Sequence, residues 1–163
     1  MNRFIALLAT AMACVSCAVA EEGADAVAWL DPDRSAIVDR SDGVDLLLAL
    51  SQPVPYRITL LDGPPRLVLD FRSVDFERLY TGDLGESEAI LAVRHGEIEA
   101  GWSRMVLDLS GPYVVSSAQM QGGAEAGTAR LEIALGKTDP TTFATRAGRG
   151  SASERIDPGF GRP

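Results

Sequence analysis

Two stretches of the chain repeat one strand pattern, Arg66-Leu67-Val68-Leu69-Asp70-Phe71 and Arg104-Met105-Val106-Leu107-Asp108-Leu109. Strict alternation puts Leu67, Leu69 and Phe71 on one side of an extended segment and Arg66, Val68 and Asp70 on the other. One side is therefore core and the other partly wet. Each copy sits inside a longer repeat: 46–51, then Pro55-Tyr56, then Arg66-Leu67 parallels 106–110, then Pro112-Tyr113, then Arg130-Leu131. Ala36-Ile37-Val38 and Ile90-Leu91-Ala92-Val93 precede the two blocks. In this longer frame 66–71 matches 130–135 and 104–109 matches 44–50, so the two visible copies occupy different places in two four-stranded units. Half of such a structure exposes an apolar face that it cannot bury alone. The expected fold is thus all-β, a sandwich of two related, internally duplicated sheets with about four strands each.

The spacing predicts strands at 35–39, 44–51, 56–61, 66–71, 89–95, 103–110, 113–120 and 129–135. Gly- and Pro-bearing turns separate them, among them Ser41-Asp42-Gly43, Asp62-Gly63-Pro64-Pro65, Ser110-Gly111-Pro112 and Gln121-Gly122-Gly123. Residues 76–86 read as a connection holding a short helical turn. The folded domain is expected over 34–136, after a flexible lead-in at 21–33. Beyond Gly136 the apolar density falls, and 137–163 reads as a flexible tail or linker.

Residues 1–20 have the form of a cleavable signal peptide. Arg3 supplies the positive start, 4–17 are almost wholly apolar or small, and Ala18-Val19-Ala20 fits a small-x-small cleavage site. The expected mature chain starts at Glu21, is periplasmic, and has no membrane segment after cleavage, the apolar run being too short for a span. Cys14 and Cys17, the two cysteines, both fall in this segment. With the segment removed, neither a disulfide framework nor a cysteine metal site remains. Lipidation at one of these cysteines is the competing reading, although Ala11 stands where Leu usually precedes such a site.

The formal charge of −8 argues against nucleic acid as a partner. It also means that an anionic ligand has to be held by short-range contacts. The single histidine, His95 beside Gly96, reads as a surface or turn residue rather than a ligand. No Ser-His-Asp or Cys-His set can be assembled, so neither catalysis, a metal nor a cofactor is expected of this chain.

Pro55-Tyr56-Arg57-Ile58, followed by Asp62-Gly63-Pro64-Pro65-Arg66-Leu67-Val68-Leu69-Asp70, resembles the AMIN domain that precedes the catalytic domain of periplasmic N-acetylmuramoyl-L-alanine amidases. The resemblance covers roughly 34–136 and is most specific at 64–70. It implies two packed sheets related by internal symmetry, peptidoglycan binding, and localisation of cell-wall proteins to the division septum. Near the C-terminus, Ile156-Asp157-Pro158-Gly159-Phe160-Gly161 resembles the segment that opens the amidase catalytic domain. Phe160 stands where that domain has a zinc-binding histidine, and it offers a metal no lone pair.

Glycans are held by aromatic faces and hydrogen-bonding side chains, which makes Trp102, between Gly101 and Ser103, a candidate contact; its other reading is an edge residue packed on a loop. Tyr56 and Tyr113 occupy matching places and either touch ligand or cap the core. Arg66 with Asp70 and Arg104 with Asp108 either form cross-strand ion pairs or line a groove where arginine forks hold muropeptide carboxylates. The leading expectation is a non-enzymatic peptidoglycan-binding module that localises an amidase or division component. A truncated amidase lacking its zinc domain is one alternative. A protein-interaction module of an envelope complex, such as the divisome, is the other.

Overall fold

In a computed structural model the described residues are 27–80 and 82–147. The expectations for the signal segment, Cys14, Cys17 and the 156–161 motif lie outside them. The strands are β1 (Ala28–Arg40), β2 (Gly43–Leu50), β3 (Tyr56–Leu61), β4 (Arg66–Arg72), β5 (Val74–Asp75), β6 (Ile90–Glu99), β7 (Trp102–Leu109), β8 (Tyr113–Gly122) and β9 (Ala129–Lys137), and one helix, α1 (Pro140–Ala147), follows. They form a five-stranded sheet, β5-β1-β2-β9-β8, and a four-stranded sheet, β3-β4-β7-β6. The two-sheet, all-β architecture is the one that the alternation predicts.

The duplication is interlocked. The first unit (β1 to β4) and the second (β6 to β9) each give one hairpin to each sheet, so exchanging the units exchanges the sheets. The seams between units are the central antiparallel pairs β2–β9 and β4–β7. Their inward residues are the apolar members of the alternation: Leu46 and Leu48, Leu67, Leu69 and Phe71, Met105 and Leu107, and Leu131, Ile133 and Leu135 are all essentially inaccessible. Burying such side chains contributes about 1.5–3 kcal/mol each and dominates the fold.

Both open sides of the sandwich are closed, which removes exposed core at its edges. On one side Phe76, Leu79 and Leu84 of the 76–89 connection are buried, and the Ile37 amide donates to the Leu84 carbonyl at 2.7 Å. The connection is pinned to β1 by Asp39, whose carboxylate accepts from the Ser87 hydroxyl (2.5 Å) and the Glu88 amide (2.6 Å). Those two bonds, the hydroxyl first, lower the Asp39 pKa below its ordinary 3.8. A depressed folded pKa means a contribution present above the unfolded value and lost as pH falls through the folded one. Acidification below pH 3.8 should therefore lower the protection of the Glu88 and Ala89 amides against hydrogen exchange, measured relative to their intrinsic rates at each pH. In Asp39→Asn that protection should already be low at neutral pH and should not fall further with acid; unchanged protection in that variant would contradict the pinning role.

The structure corrects the sequence reading at both ends of the domain. Strand β1 starts at Ala28, inside the segment read as a lead-in, because a bulge between Asp31 and Ala36 carries it past Pro32. Buried Ser35 holds that bulge, donating to the Asp31 carbonyl at 2.6 Å and accepting from the Ala49 amide at 2.9 Å. Helix α1 lies within the segment read as tail. Asp139 caps it through the Thr141 and Thr142 amides, both at 3.0 Å, and Pro140 takes the first helical position. Phe143 and Ala147, one turn apart, are buried as α1 packs beside β3 and β8.

Candidate functional site

The outward side of the four-stranded sheet is built from the residues opposite the core in the alternation. Register across β3, β4, β7 and β6 gives one row of Arg57, Asp70, Arg104 and Gly96 and another of Leu61, Arg66, Asp108 and Ala92. A further row carries Arg72, Trp102 and Glu99. Five arginines (Arg57, Arg66, Arg72, Arg94, Arg104) thus share the face with three carboxylates (Asp70, Asp108, Glu99). On a chain of net charge −8 this is a local reversal of sign.

The two visible sequence copies turn out to be ladder partners. Because β4 and β7 run antiparallel, Asp70 stands opposite Arg104 and Arg66 opposite Asp108. Arg104 grips Asp70 with two parallel bonds, Nε to Oδ1 at 2.6 Å and Nη2 to Oδ2 at 3.0 Å. The Asp70 side chain is only 7% exposed, against 43% for Arg104. Hydrogen bonding to Asp70 raises the Arg104 pKa above its ordinary value. Asp108 instead accepts from Arg94 Nη2 at 2.6 Å. Among the described residues Arg66 is left with one long bond, Nε to the Pro64 carbonyl at 3.3 Å.

Trp102 opens β7 directly after Gly101, whose φ of 75° turns the β6–β7 hairpin. Its indole is half-buried and lies under the Arg57 guanidinium, 5.5 Å from the ring centroid. Such a stack contributes about 0.5–1 kcal/mol at an exposed site. On its other flank Trp102 borders a cleft of about 350 Å3 that also has Asp75, Glu77 and Glu97 in its wall. The face is thus cationic on one side of the indole and anionic on the other.

Of the six residues singled out in the sequence, Arg66, Asp70, Trp102 and Arg104 share this face. Tyr56 and Tyr113 do not: they are 6% and 5% exposed, turned inward by the same alternation that buries Leu60, and Tyr56 lies 6.5 Å from Phe71, ring to ring. Their position is a correction to the ligand-contact expectation and matches the core-capping one. Arg57 was missed, although it follows Tyr56 and must point the opposite way; nothing local says that β3 brings it over Trp102. His95 lies in mid-strand on β6, its Nε2 3.0 Å from the Leu79 carbonyl and its ring 5.5 Å from Phe76, where it fastens the connection.

The matching face of the five-stranded sheet is different in kind. The row equivalent to Arg57, Asp70, Arg104 and Gly96 holds Ser117, Ala134, Asp45 and Val38, and Gly136 and Gly43 stand where Arg72 and Trp102 do. At Gly43 a Cβ would come within 1.9 Å of the Leu135 carbonyl oxygen, so no side chain fits there. Elsewhere, a groove of about 470 Å3 between the connection and β6 is lined largely by apolar groups such as Ile37, Leu79, Tyr80 and Leu91. Among the described residues no group of three or more His, Cys, Asp or Glu could hold a metal ion.

Compared with known proteins, residues 36–135 match the sequence model of the family described as AMIN domain. That span runs from the bulge of β1 to β9. No curated protein matches the chain.

Proposed function

Since the chain belongs to the AMIN domain family, a non-catalytic, peptidoglycan-associated targeting domain of periplasmic proteins, we propose that it binds peptidoglycan through the outer face of its four-stranded sheet. Binding there localises a cell-wall amidase or division component to the wall, in the periplasm and at the septum. The observation that carries this reading is Trp102, half-buried beneath Arg57 on a face that carries five outward arginines. An amphipathic indole fixed at the start of a strand offers a rigid stacking surface at little entropic cost, and guanidiniums around it supply directional donors. No described helix is long and apolar enough to cross a membrane.

Purified peptidoglycan sacculi test the reading directly. The protein should sediment with them, and Trp102→Ala should weaken that association roughly tenfold, about the worth of one stacked aromatic. Thermal unfolding of the variant should change little, since Trp102 lies outside the buried core. A protein that stays wholly in the supernatant at every salt concentration and pH would overturn the assignment.

A further inference from the structure

Resting on the peptidoglycan reading, we propose that this face recognises the carboxylates of the stem peptides rather than the glycan chain. Arg57 and Arg66 are the groups that donate to them. The arginines of the face are not equivalent. Arg104 is committed to Asp70 through both of its forward donors, and Arg94 is committed to Asp108. Among the described residues Arg57 and Arg66 have no carboxylate partner: Arg57 rests on the Trp102 ring, and Arg66 makes only the 3.3 Å bond to Pro64. A planar guanidinium without a counter-ion, held in position by a neighbour, is a preformed fork of donors for a carboxylate.

A neutral sugar gains nothing from surplus positive charge, whereas a carboxylate does. The rest of the molecule reinforces the choice. The cleft on the far flank of Trp102 has Asp75, Glu77 and Glu97 in its wall, so an anion is repelled there and is admitted only from the Arg57 side. The opposite face of the sandwich has Ser117 and Gly43 where Arg57 and Trp102 stand, so the duplicated fold carries one such surface instead of two. Arg104 is then a positioning residue. Its bond to Asp70 keeps that carboxylate from neutralising Arg57, which faces Asp70 across the β3–β4 ladder.

Three probes separate the outcomes: native sacculi, sacculi whose carboxylates have been converted to amides, and a neutral N-acetylglucosamine tetramer. The protein should bind native sacculi, lose roughly tenfold or more on amidation as the charge-assisted bonds are removed, and ignore the tetramer. Arg57→Ala and Arg66→Ala should each reproduce most of that loss on native sacculi, with Arg57→Lys retaining part of the binding. Gln119→Ala, on the outward side of the other sheet, should leave binding unchanged. All of these substitutions are outside the buried core, and retained thermal unfolding shows that a loss is not one of folding. Equal binding to native and amidated sacculi, or undiminished binding by the Arg57/Arg66 double variant, overturns the carboxylate assignment while sacculus binding itself stands. Failure to bind native sacculi at all overturns both.

Discussion

Phe71→Ala is expected to destabilise the domain by about 3–5 kcal/mol, a large part of the stability of any domain this size. Phe71 is fully buried, with the Phe76 ring edge-on at 5.8 Å and Tyr56 on its other side. It sits where β4 leaves the four-stranded sheet for β5 in the other sheet, with Ser73 at a φ of 51° between them. Its neighbours Tyr56 and Phe76 are held apart by β3 and by the connection, so they cannot collapse together to fill the void, and the cavity adds to the lost transfer free energy. Urea titration should show a lower midpoint with an unchanged slope, as expected for a stability change without a change in the exposed surface. A variant with a wild-type midpoint would mean that the 71–76 corner repacks, and would count against a single rigid core.

Arg104→Ala should be the next most damaging change, at about 2–3 kcal/mol, because it leaves the Asp70 carboxylate enclosed without its two donors. The figure lies below that of a fully buried pair, since Arg104 is itself 43% exposed and solvent can reach part of the space it vacates. Replacing both partners together, Arg104→Met with Asp70→Leu, should return stability to within about 1 kcal/mol of the parent, because no buried charge is then left unpaired. A double-mutant cycle by urea unfolding gives the coupling directly. Additive single effects would show that the pair contributes no mutual stabilisation. The same double variant should keep its binding to sacculi, since Arg57 and Arg66 remain and the carboxylate that faces Arg57 across the ladder is removed together with its partner.

Strand positions were legible because the core imposes a period of two on the sequence, and β3, β4 and β7 begin and end within a residue or so of where alternation places them. Arg66, Asp70, Trp102 and Arg104 were legible as outward residues for the same reason. What alternation cannot carry is strand order. The similarity of 66–71 and 104–109 looks like a repeat, but the repeat relation joins β4 to β9; β4 and β7 share a pattern because each is a seam strand with an ion-paired outer side. Nor does the pattern place Arg57 over Trp102, which requires β3 to border β4 and β4 to border β7. Helix α1 was hidden by its Thr-rich composition, although Asp139-Pro140 is a helix-start signal and Phe143 with Ala147 has helical spacing. Only the sandwich beside it gives that one short apolar stripe something to bury against.

The interlocked arrangement of the units also dictates the order in which the chain can finish folding. Local hairpins can form as soon as their strands exist, but β2 waits for β9, its seam partner, until nearly the whole domain has been made. Until then the first half holds Leu46, Leu48, Leu67 and Leu69 on two half-sheets with nothing to cover them. A nascent or unfolded chain therefore presents sticky, edge-on leucine surfaces right up to its last strand, and β9 acts as the latch that takes them out of circulation.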